Sequence, residues 1–359
     1  MFKKTAFICF FPIFPNNTGS SEVINARFHY WPGKKKLFQL SNISCKKNNI
    51  ETVNIFFNLP IFKILFLPFL ILKILKYLKK TEKKNIVIEG ASWIFYSFFV
   101  IRVLKFFFKD AKFYYFSHSI ESEIRKKFSN KFIYFLTFIL EKEVFKLCDF
   151  STSVSLKEIL KIKKLYHVDT IFFPNSINLK KIKNKKKIIK KKYIIYSGSY
   201  LYRPNQDAIN YLNNCIMPKL ALYYPDIKLV ITGGGYTGKA FPWLINKNIV
   251  SKGSLYNLIF HSQCMCLPIK YGSGTRIKIL ESLCLGGVIV SSKIGIEGIK
   301  IISAPPFVYK NDVELISILF KIIKNYKNIK KQSYANRNFY LKNYLMSENI
   351  KKFVKKYVE

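Results

Sequence analysis

Acidic residues and histidines are scarce in this sequence of 359 residues. It contains 20 Asp and Glu against 61 Lys and Arg, with four histidines, which gives a formal net charge of +41. So large a positive charge attracts nucleic acid, anionic lipid headgroups or phosphorylated substrates. Lys, Asn, Ile, Phe and Tyr are also abundant together, as codon drift in an AT-rich genome would make them. The charge alone therefore selects no partner.

Long uninterrupted apolar runs are also missing. The closest, from Ile55 to Leu78, contains three lysines and two prolines, which predicts a helix of a core or of a membrane surface but no membrane span. The apolar run from Thr5 to Phe14 lacks a small-residue cleavage site, which favours a buried first strand over a signal peptide. Seven scattered cysteines with no His/Cys cluster fit a reducing compartment and no zinc site, so a cytoplasmic protein is expected.

Short apolar runs alternate with longer helical patterns, which predicts βαβ units and parallel sheets. Nine lysines among the fourteen residues from Leu179 to Lys192 cannot be buried and interrupt this pattern. We therefore predict an α/β protein with a Rossmann-like domain over residues 1–178, a hinge over 179–192 and a second Rossmann-like domain over 193–340. Residues 341–359 are predicted to form a helix that packs back toward the first domain.

A glycine-rich segment from Gly233 to Gly238 satisfies G-x-G-x-x-G after a predicted strand, which would indicate a dinucleotide site. Such a site needs an acidic residue about 20 positions further on for the ribose hydroxyls. No Asp or Glu occurs between Ile227 and Leu280, and Phe241-Pro242 interrupts the expected helix. We therefore interpret the segment as a tight turn after a strand.

A second glycine-rich segment, Gly272-Ser273-Gly274-Thr275, leads directly into a predicted helix. Exposed amides at a helix N-terminus, together with the cations Arg276 and Lys278, predict a diphosphate-binding site. Two interpretations of Glu281 stay open at this stage. It pairs with Lys278 on a solvated surface, or it accepts hydrogen bonds from two ribose hydroxyls.

The stretch from Pro268 to Glu281, followed by Gly287–Val290 and Gly295–Gly298, resembles the donor-site signature of group 1 (family 4) glycosyltransferases. Three further matches occur in the family's order along the chain: Ser117–Glu121 with an H-N-x-E element, Ile171–Ile177 with an IPNG(V/I) element, and Gly198–Asn205 with the first strand and loop of the donor domain. The resemblance implies the GT-B fold, in which two Rossmann-like domains face each other across a cleft.

The resemblance also implies roles for individual residues. His118 is the candidate catalytic residue beside the transferred sugar, although a lone His after an apolar strand is more often structural. The candidate donor-binding residues are Gly198, Arg203, Gly274, Thr275, Arg276, Lys278 and Glu281, and Gly19 and Ser20 form a candidate acceptor or cleft loop. The family often carries a Glu-x7-Glu pair, of which Glu281 is the second member. Ser273 replaces the first, so we expect loop amides to hold the sugar hydroxyls there.

The function implied is transfer of a sugar from a UDP- or GDP-linked donor to a glycan or lipid-linked acceptor. The family's usual work is retaining transfer in cell-surface polysaccharide synthesis. No cofactor and no metal are expected, because none of the six aspartates forms a D-x-D sequence and a helix terminus with cations stabilises a leaving diphosphate.

Three questions stay open at this stage. The segment Phe56–Lys80 predicts either peripheral binding to the inner face of an anionic membrane or an internal helix. A basic nucleic-acid-binding protein is one alternative function, although no nucleic-acid module is recognised. A nicotinamide-linked oxidoreductase that uses Gly233–Gly238 is the other.

Overall fold

The computed structural model describes residues 3–14, 19–43, 45, 49–56, 60–79, 81–179, 191–271 and 275–359. The chain divides into two compact units, one formed by Met1–Asn178 with Met346–Glu359 and the other by Leu179–Leu345. Most of the predicted hinge, residues 180–190, lies outside the described ranges. Among the described helices, none combines the length and the apolar composition that crossing a bilayer requires.

The first unit is built on a parallel sheet. Its strands are β1 (Lys4–Cys9), β2 (Lys34–Ser41), β3 (Ile50–Asn54), β4 (Lys84–Gly90), β5 (Lys112–Ser117), β6 (Phe150–Ser153) and β7 (Ile171–Phe172). Its helices are α1 (Gly19–Tyr30), α2 (Pro60–Leu78), α3 (Ile94–Phe107), α4 (Glu121–Phe128), α5 (Lys131–Leu147), α6 (Leu156–Tyr166) and α13 (Met346–Tyr357). The strand order is β3-β2-β1-β4-β5-β6-β7, with the change of direction beside β1 that is typical of a Rossmann-like unit.

Alternation along the strands separates two helical layers in the first unit. Ile86 and Ile88 of β4 belong to a core with α2, α3 and α5. The intervening side chains point to the opposite face because successive strand residues alternate. There Phe116 of β5 packs against Phe353 of α13, with ring centroids 5.3 Å apart. The C-terminal helix is thus part of the first unit.

The second unit is a smaller parallel sheet. Its strands are β8 (Tyr193–Ser197), β9 (Lys228–Thr232), β10 (Leu244–Asn246), β11 (Cys264–Leu267), β12 (Ile289–Ser292) and β13 (Phe307–Tyr309). Its helices are α7 (Arg203–Tyr211), α8 (Met217–Tyr223), α9 (Lys252–His261), α10 (Ile277–Cys284), α11 (Asp312–Lys324) and α12 (Tyr326–Tyr344), and a π-helical turn (Leu212–Ile216) joins α7 to α8. The strand order is β10-β9-β8-β11-β12-β13. Cys264 and Cys266 lie within the buried strand β11.

Helix α10 ends against three side chains of α12. Lys330 donates to the carbonyl of Gly286 over 2.9 Å, Ser333 donates to that of Gly287, and Arg337 donates to that of Cys284. Gly286 itself has a φ of 71°, which ends the helix as glycine commonly does. These contacts satisfy carbonyls that a helix C-terminus leaves without intrahelical partners.

Candidate functional site

A cluster at the carboxyl end of β8 surrounds the amine of Lys278. Lys278 Nζ donates to Asn205 Oδ1 over 2.9 Å and lies 4.6 Å from the centre of the Tyr196 ring. Tyr196 also donates its hydroxyl to Asn205 Oδ1 over 2.8 Å. We call Tyr196, Asn205 and Lys278 the lysine cluster. It joins β8, α7 and α10.

The amine of Lys278 is poorly solvated although part of its side chain remains accessible. Desolvation by burial, reinforced by the nearby positive charge of Arg276, lowers the pKa of Lys278 to about 7, while Glu281 opposes the shift. The amine is therefore close to half protonated at neutral pH. An anion that binds a poorly solvated ammonium has little water to displace from it. The anion therefore gains more from this group than from a well-solvated surface lysine.

Gly198 leaves room for the lysine cluster. Its φ is 151°, and a Cβ there would lie 2.5 Å from Lys278 Nζ and 2.8 Å from Asn205 Nδ2. Its amide donates to the carbonyl of Thr232 at the end of β9 over 2.8 Å. A side chain at the predicted site residue Gly198 would be strained by this φ and would displace Lys278 Nζ and Asn205 Nδ2.

Glu281 lies on the same helix as Lys278, one turn further on, and its side chain is 11% exposed. Its Oε1 lies 3.2 Å from Lys252 Nζ and 3.3 Å from the Tyr256 hydroxyl, both on α9. The interpretation of Glu281 as a solvated surface partner of Lys278 is therefore wrong. The carboxylate is instead held in place between two helices.

The N-terminal end of α10 carries the other predicted donor residues. Arg276 is the N-cap residue, its side chain makes no capping hydrogen bond, and no acidic residue occurs in the first turn. Thr275 precedes it and approaches Gly298, where a Cβ would lie 2.8 Å from Thr275 Oγ1. Gly274, like Gly272 and Ser273, lies outside the described residues. The first helical residue is Ile277, two positions later than the sequence predicts, because Thr275 and Arg276 are not helical.

Arg203 begins α7 and is engaged with that helix. Its Nε lies 3.0 Å from Asp207 Oδ1, and its side chain is largely exposed. Asp207 also accepts a hydrogen bond from the hydroxyl of Tyr271, the last described residue before the second glycine-rich segment. Asp207 thus holds both the Arg203 guanidinium and the Tyr271 hydroxyl.

The first glycine-rich segment does not open a helix. Gly233, Gly234 and Gly235 all have positive φ values, and the chain continues through a loop to the strand β10. A dinucleotide fingerprint requires a helix immediately after the glycines to receive the pyrophosphate. The interpretation as a turn is therefore the one that the geometry favours.

In the first unit, His118 follows the last residue of β5. Its Nε2 lies 2.9 Å from Glu89 Oε2 at the end of β4, and its side chain is 11% exposed. Glu89 is fully buried and also pairs with Arg27 of α1. Residues Gly19 and Ser20 are the exposed first residues of the same helix α1.

Glu121, the last residue of the H-N-x-E match, has a structural contact. It accepts a hydrogen bond from the amide of Ile94 over 2.7 Å at the start of α3 and pairs with Arg125. Burial, with a smaller contribution from the nearby Glu141, raises the pKa of Glu121 to about 7 even though Arg125 opposes the shift. The carboxyl group thus joins the loop after β5 to the loop after β4.

Sequence analysis missed several residues that hold the candidate site residues: Arg27, Glu89, Tyr196, Lys252 and Tyr256. Glu89 had a usable signal, because it is a lone acid at the end of an apolar strand. The contacts of Lys252 and Tyr256 with Glu281 cross 25 or more positions and leave no local pattern. Within the described part of the chain, no three His, Cys, Asp or Glu side chains come close enough together to hold a metal ion.

Residues 191–314 match the family model described as "Glycosyl transferases group 1". The match covers the lysine cluster, the N-terminal end of α10 and Glu281. The second unit contains a group 1 glycosyltransferase domain. A search of curated proteins found no match.

Solved structures extend the comparison to nearly the whole chain. HepE from Anabaena, in complex with UDP-glucose, is 10% identical with a TM-score of 0.65. The match covers 98% of this chain and 99% of the HepE chain. OtsA without ligand is 12% identical, with a TM-score of 0.69 and 98% of both chains covered. WaaG, described as a glycosyltransferase involved in lipopolysaccharide biosynthesis, is 13% identical, with a TM-score of 0.62 and 98% and 99% covered. The two-unit architecture is the GT-B fold.

Proposed function

We propose that this protein is a glycosyltransferase that moves a hexose from a nucleotide-sugar donor to a glycan or lipid-linked acceptor and retains the anomeric configuration. The observation that carries the proposal is the lysine cluster beside the N-terminal end of α10, within the domain that matches the group 1 family model. The fold shared with HepE, solved with UDP-glucose, supports a UDP-linked donor. The fold shared with WaaG, described as a glycosyltransferase involved in lipopolysaccharide biosynthesis, supports a role in cell-surface polysaccharide synthesis.

Four of the candidate donor-binding residues have distinct chemical roles in this proposal. Glu281, fixed by Lys252 and Tyr256, accepts hydrogen bonds from the two ribose hydroxyls. Lys278, Arg276 and the amide of Thr275 bind the diphosphate, whose negative charge grows as the glycosidic bond breaks. Two cations and a helix N-terminus supply the stabilisation that a divalent metal supplies in other transferases, so the proposed reaction is independent of metal.

Retention is part of the proposal by the family resemblance. The acceptor hydroxyl attacks the anomeric carbon on the face that the diphosphate leaves, through an ion-pair-like transition state, and His118 contacts the transferred sugar. Proton NMR of the isolated product reads the anomeric configuration directly. A product of inverted configuration would contradict this part of the proposal and leave the donor assignments intact.

The first test is saturation-transfer NMR on the full-length protein with UDP-glucose, UDP-N-acetylglucosamine, GDP-mannose and NAD⁺ as separate ligands. We expect signal transfer to at least one sugar nucleotide and none to NAD⁺. Signal from NAD⁺ alone would mean that Gly233–Gly238 forms a nicotinamide site and that the protein is an oxidoreductase. Silence from all four ligands would count against a sugar-nucleotide site at α10.

Donor binding is expected to weaken as the pH rises above 7. The pKa of Lys278 is about 7 without ligand, and a diphosphate beside the amine raises that pKa. The complex therefore binds more protons than the free protein, and affinity falls by up to tenfold per pH unit until the pKa in the complex is reached. Isothermal titration with UDP-glucose at pH 8, in two buffers of different ionisation enthalpy, measures the expected proton uptake. No uptake at pH 8 would place the diphosphate away from Lys278.

We further propose peripheral binding to an anionic membrane through the first unit. Helices α2, α3 and α5 share one face of the sheet, and their outward sides carry exposed apolar residues: Leu65, Phe69, Leu72, Phe106, Phe107, Phe132 and Phe135. We call these seven residues the apolar face. Phe106 is 77% exposed and Phe132 72% exposed. Exposed cations on the same helices, among them Lys76, Arg102 and Lys131, suit anionic headgroups.

Replacing both Phe132 and Phe135 by serine is expected to weaken vesicle binding by about a hundredfold or more, because each inserted Phe contributes roughly 1.5–3 kcal/mol. The measurement is sedimentation with phosphatidylcholine vesicles with and without phosphatidylglycerol. Leu222→Ser, an exposed apolar residue of the second unit, is the control and should change nothing. Binding that does not depend on anionic lipid, or on the two phenylalanines, would contradict a membrane role for the apolar face.

A further inference from the structure

A buried ionic group of the first unit lies beneath His118. Glu89 Oε2 accepts a hydrogen bond from Arg27 Nη1 and lies 2.9 Å from His118 Nε2. Glu89 is 0% exposed, and its other oxygen has no hydrogen-bond partner among the described residues. The three side chains come from α1, from the end of β4 and from the residue that follows β5.

The strand pattern explains why these groups meet. Glu89 and Phe116 are paired in the register of β4 with β5, so they point to the same face of the sheet. Helix α1 covers this face, and the Arg27 guanidinium lies 3.9 Å from the centre of the Phe116 ring and 5.1 Å from that of Phe173. Aromatic rings and a carboxylate together fix the guanidinium plane.

A contribution to the free energy of unfolding does not explain why this buried ionic group is present. A buried ion pair often stabilises a fold no more than apolar side chains of similar size would, because both charges lose their hydration. Here Arg27 Nε and Glu89 Oε1 also lack partners in the described structure. The group is nevertheless placed directly beneath the one histidine that the resemblance connects with the sugar.

The ionisation state of the Glu89 carboxyl group decides which nitrogen of His118 carries a proton. Burial by itself raises the pKa of Glu89, but the charge of Arg27 and the hydrogen bond with His118 outweigh burial and lower that pKa. An ionised carboxylate has no proton to donate, so His118 Nε2 must be the donor. Arg27 already balances the charge of this carboxylate.

We infer that Glu89 and Arg27 are positioning residues that hold His118 as its Nε2–H tautomer, with Nδ1 left to accept a hydrogen bond from a hydroxyl of the transferred sugar. The inference rests on the proposed function for the identity of that hydroxyl. One further titratable group faces Glu89, the thiol of Cys9 on β1. Burial, followed by the charge of Glu89, raises the pKa of Cys9, so it stays a neutral thiol.

The experiment is nitrogen NMR of the full-length protein labelled with ¹⁵N-histidine. The chain has four histidines, so His118→Asn assigns the resonances, and the exposed His29 and His167 serve as references in the same spectrum. We expect His118 to show one neutral tautomer with the proton on Nε2. The exposed histidines should show mixed tautomers.

Two variants separate positioning from folding. Arg27→Met with Glu89→Leu replaces the buried pair by apolar side chains, which often preserves a fold. This double variant should give His118 mixed tautomers. It should also lower kcat about a hundredfold with little change in the donor KM. Arg27→Gln leaves the charge of Glu89 uncompensated, so His118 should stay doubly protonated to higher pH than in the native protein.

The outcomes distinguish this inference from the proposed function. An unchanged His118 tautomer in the double variant, or an unshifted His118 titration in Arg27→Gln, would overturn the inference even if sugar transfer is observed. The expected NMR changes, combined with no binding of any nucleotide sugar, would confirm the positioning of the imidazole and refute the proposed function.

Discussion

Glu281→Ala is expected to lower the affinity for a nucleotide sugar by about a hundredfold or more. A carboxylate that accepts hydrogen bonds from two ribose hydroxyls contributes about 1.5–3 kcal/mol for each charged hydrogen bond. The side chain is nearly buried and is held by Lys252 and Tyr256, so no neighbouring group can take its place. Transfer should fall in proportion, because the donor no longer sits in a fixed orientation.

The measurement is isothermal titration of the variant with the donor identified by NMR, alongside thermal unfolding. Glu281→Gln keeps the shape and removes the charge, so it should lie between the alanine variant and the native protein. Asp226→Asn, an exposed acid of the same unit that pairs with Lys192, is the matched control and should bind normally. Normal donor affinity in Glu281→Ala, with a lowered unfolding temperature, would reduce Glu281 to a structural link between α9 and α10.

Lys278→Met is expected to lower kcat/KM by about 10²–10³. A preorganised donor beside a leaving group has this effect when it is removed, because no solvent molecule replaces it in the same place. The amine of Lys278 is oriented by Asn205 and by the face of the Tyr196 ring, and desolvation increases its gain from an incoming anion. The loss should be larger in kcat than in KM.

Lys330 provides an unusually close control for this experiment. It belongs to the same unit, and burial lowers its pKa to about 7 as well, but its amine donates to the carbonyl of Gly286 at the opposite end of α10. Lys330→Met should therefore reduce the free energy of unfolding and leave kcat/KM within a fewfold of the native value. Equal catalytic losses in both variants would show that Lys278 acts through folding and not on the diphosphate.

Much of the architecture follows from periodicity in the sequence, because buried parallel strands are continuous apolar runs. The predicted N-terminal strand is confirmed. β2 escaped prediction because it starts with Lys34-Lys35-Lys36, which resembles a surface loop. α12 escaped because its sequence is largely polar and its buried face is recognisable only from what it packs against.

The candidate site is likewise only partly predictable from the sequence. Lys278 and Glu281 lie in α10 and Arg276 directly precedes it, so the three are predictable as a local motif. Their supports lie on other elements: Asn205 is 73 positions from Lys278, and Arg27 is 62 positions from Glu89. Sequence alone does not show such pairings, because folding and not spacing brings the partners together. The pairing of Arg203 with Asp207 is different, because an i,i+4 spacing on one helix is a local pattern that the sequence does contain.

The way in which α10 ends has a consequence for how donor preference evolves. Lys330, Ser333 and Arg337 fix the carbonyls at the C-terminus of this helix, and so they set its position along its own axis. Because three side chains share this role, the loss of one leaves α10 in place, whereas changing all three together would shift every group that α10 presents at its other end. Donor preference can therefore change through combined substitutions in α12, at the end of α10 opposite the donor-binding residues. Comparisons restricted to residues that touch the nucleotide would overlook that route.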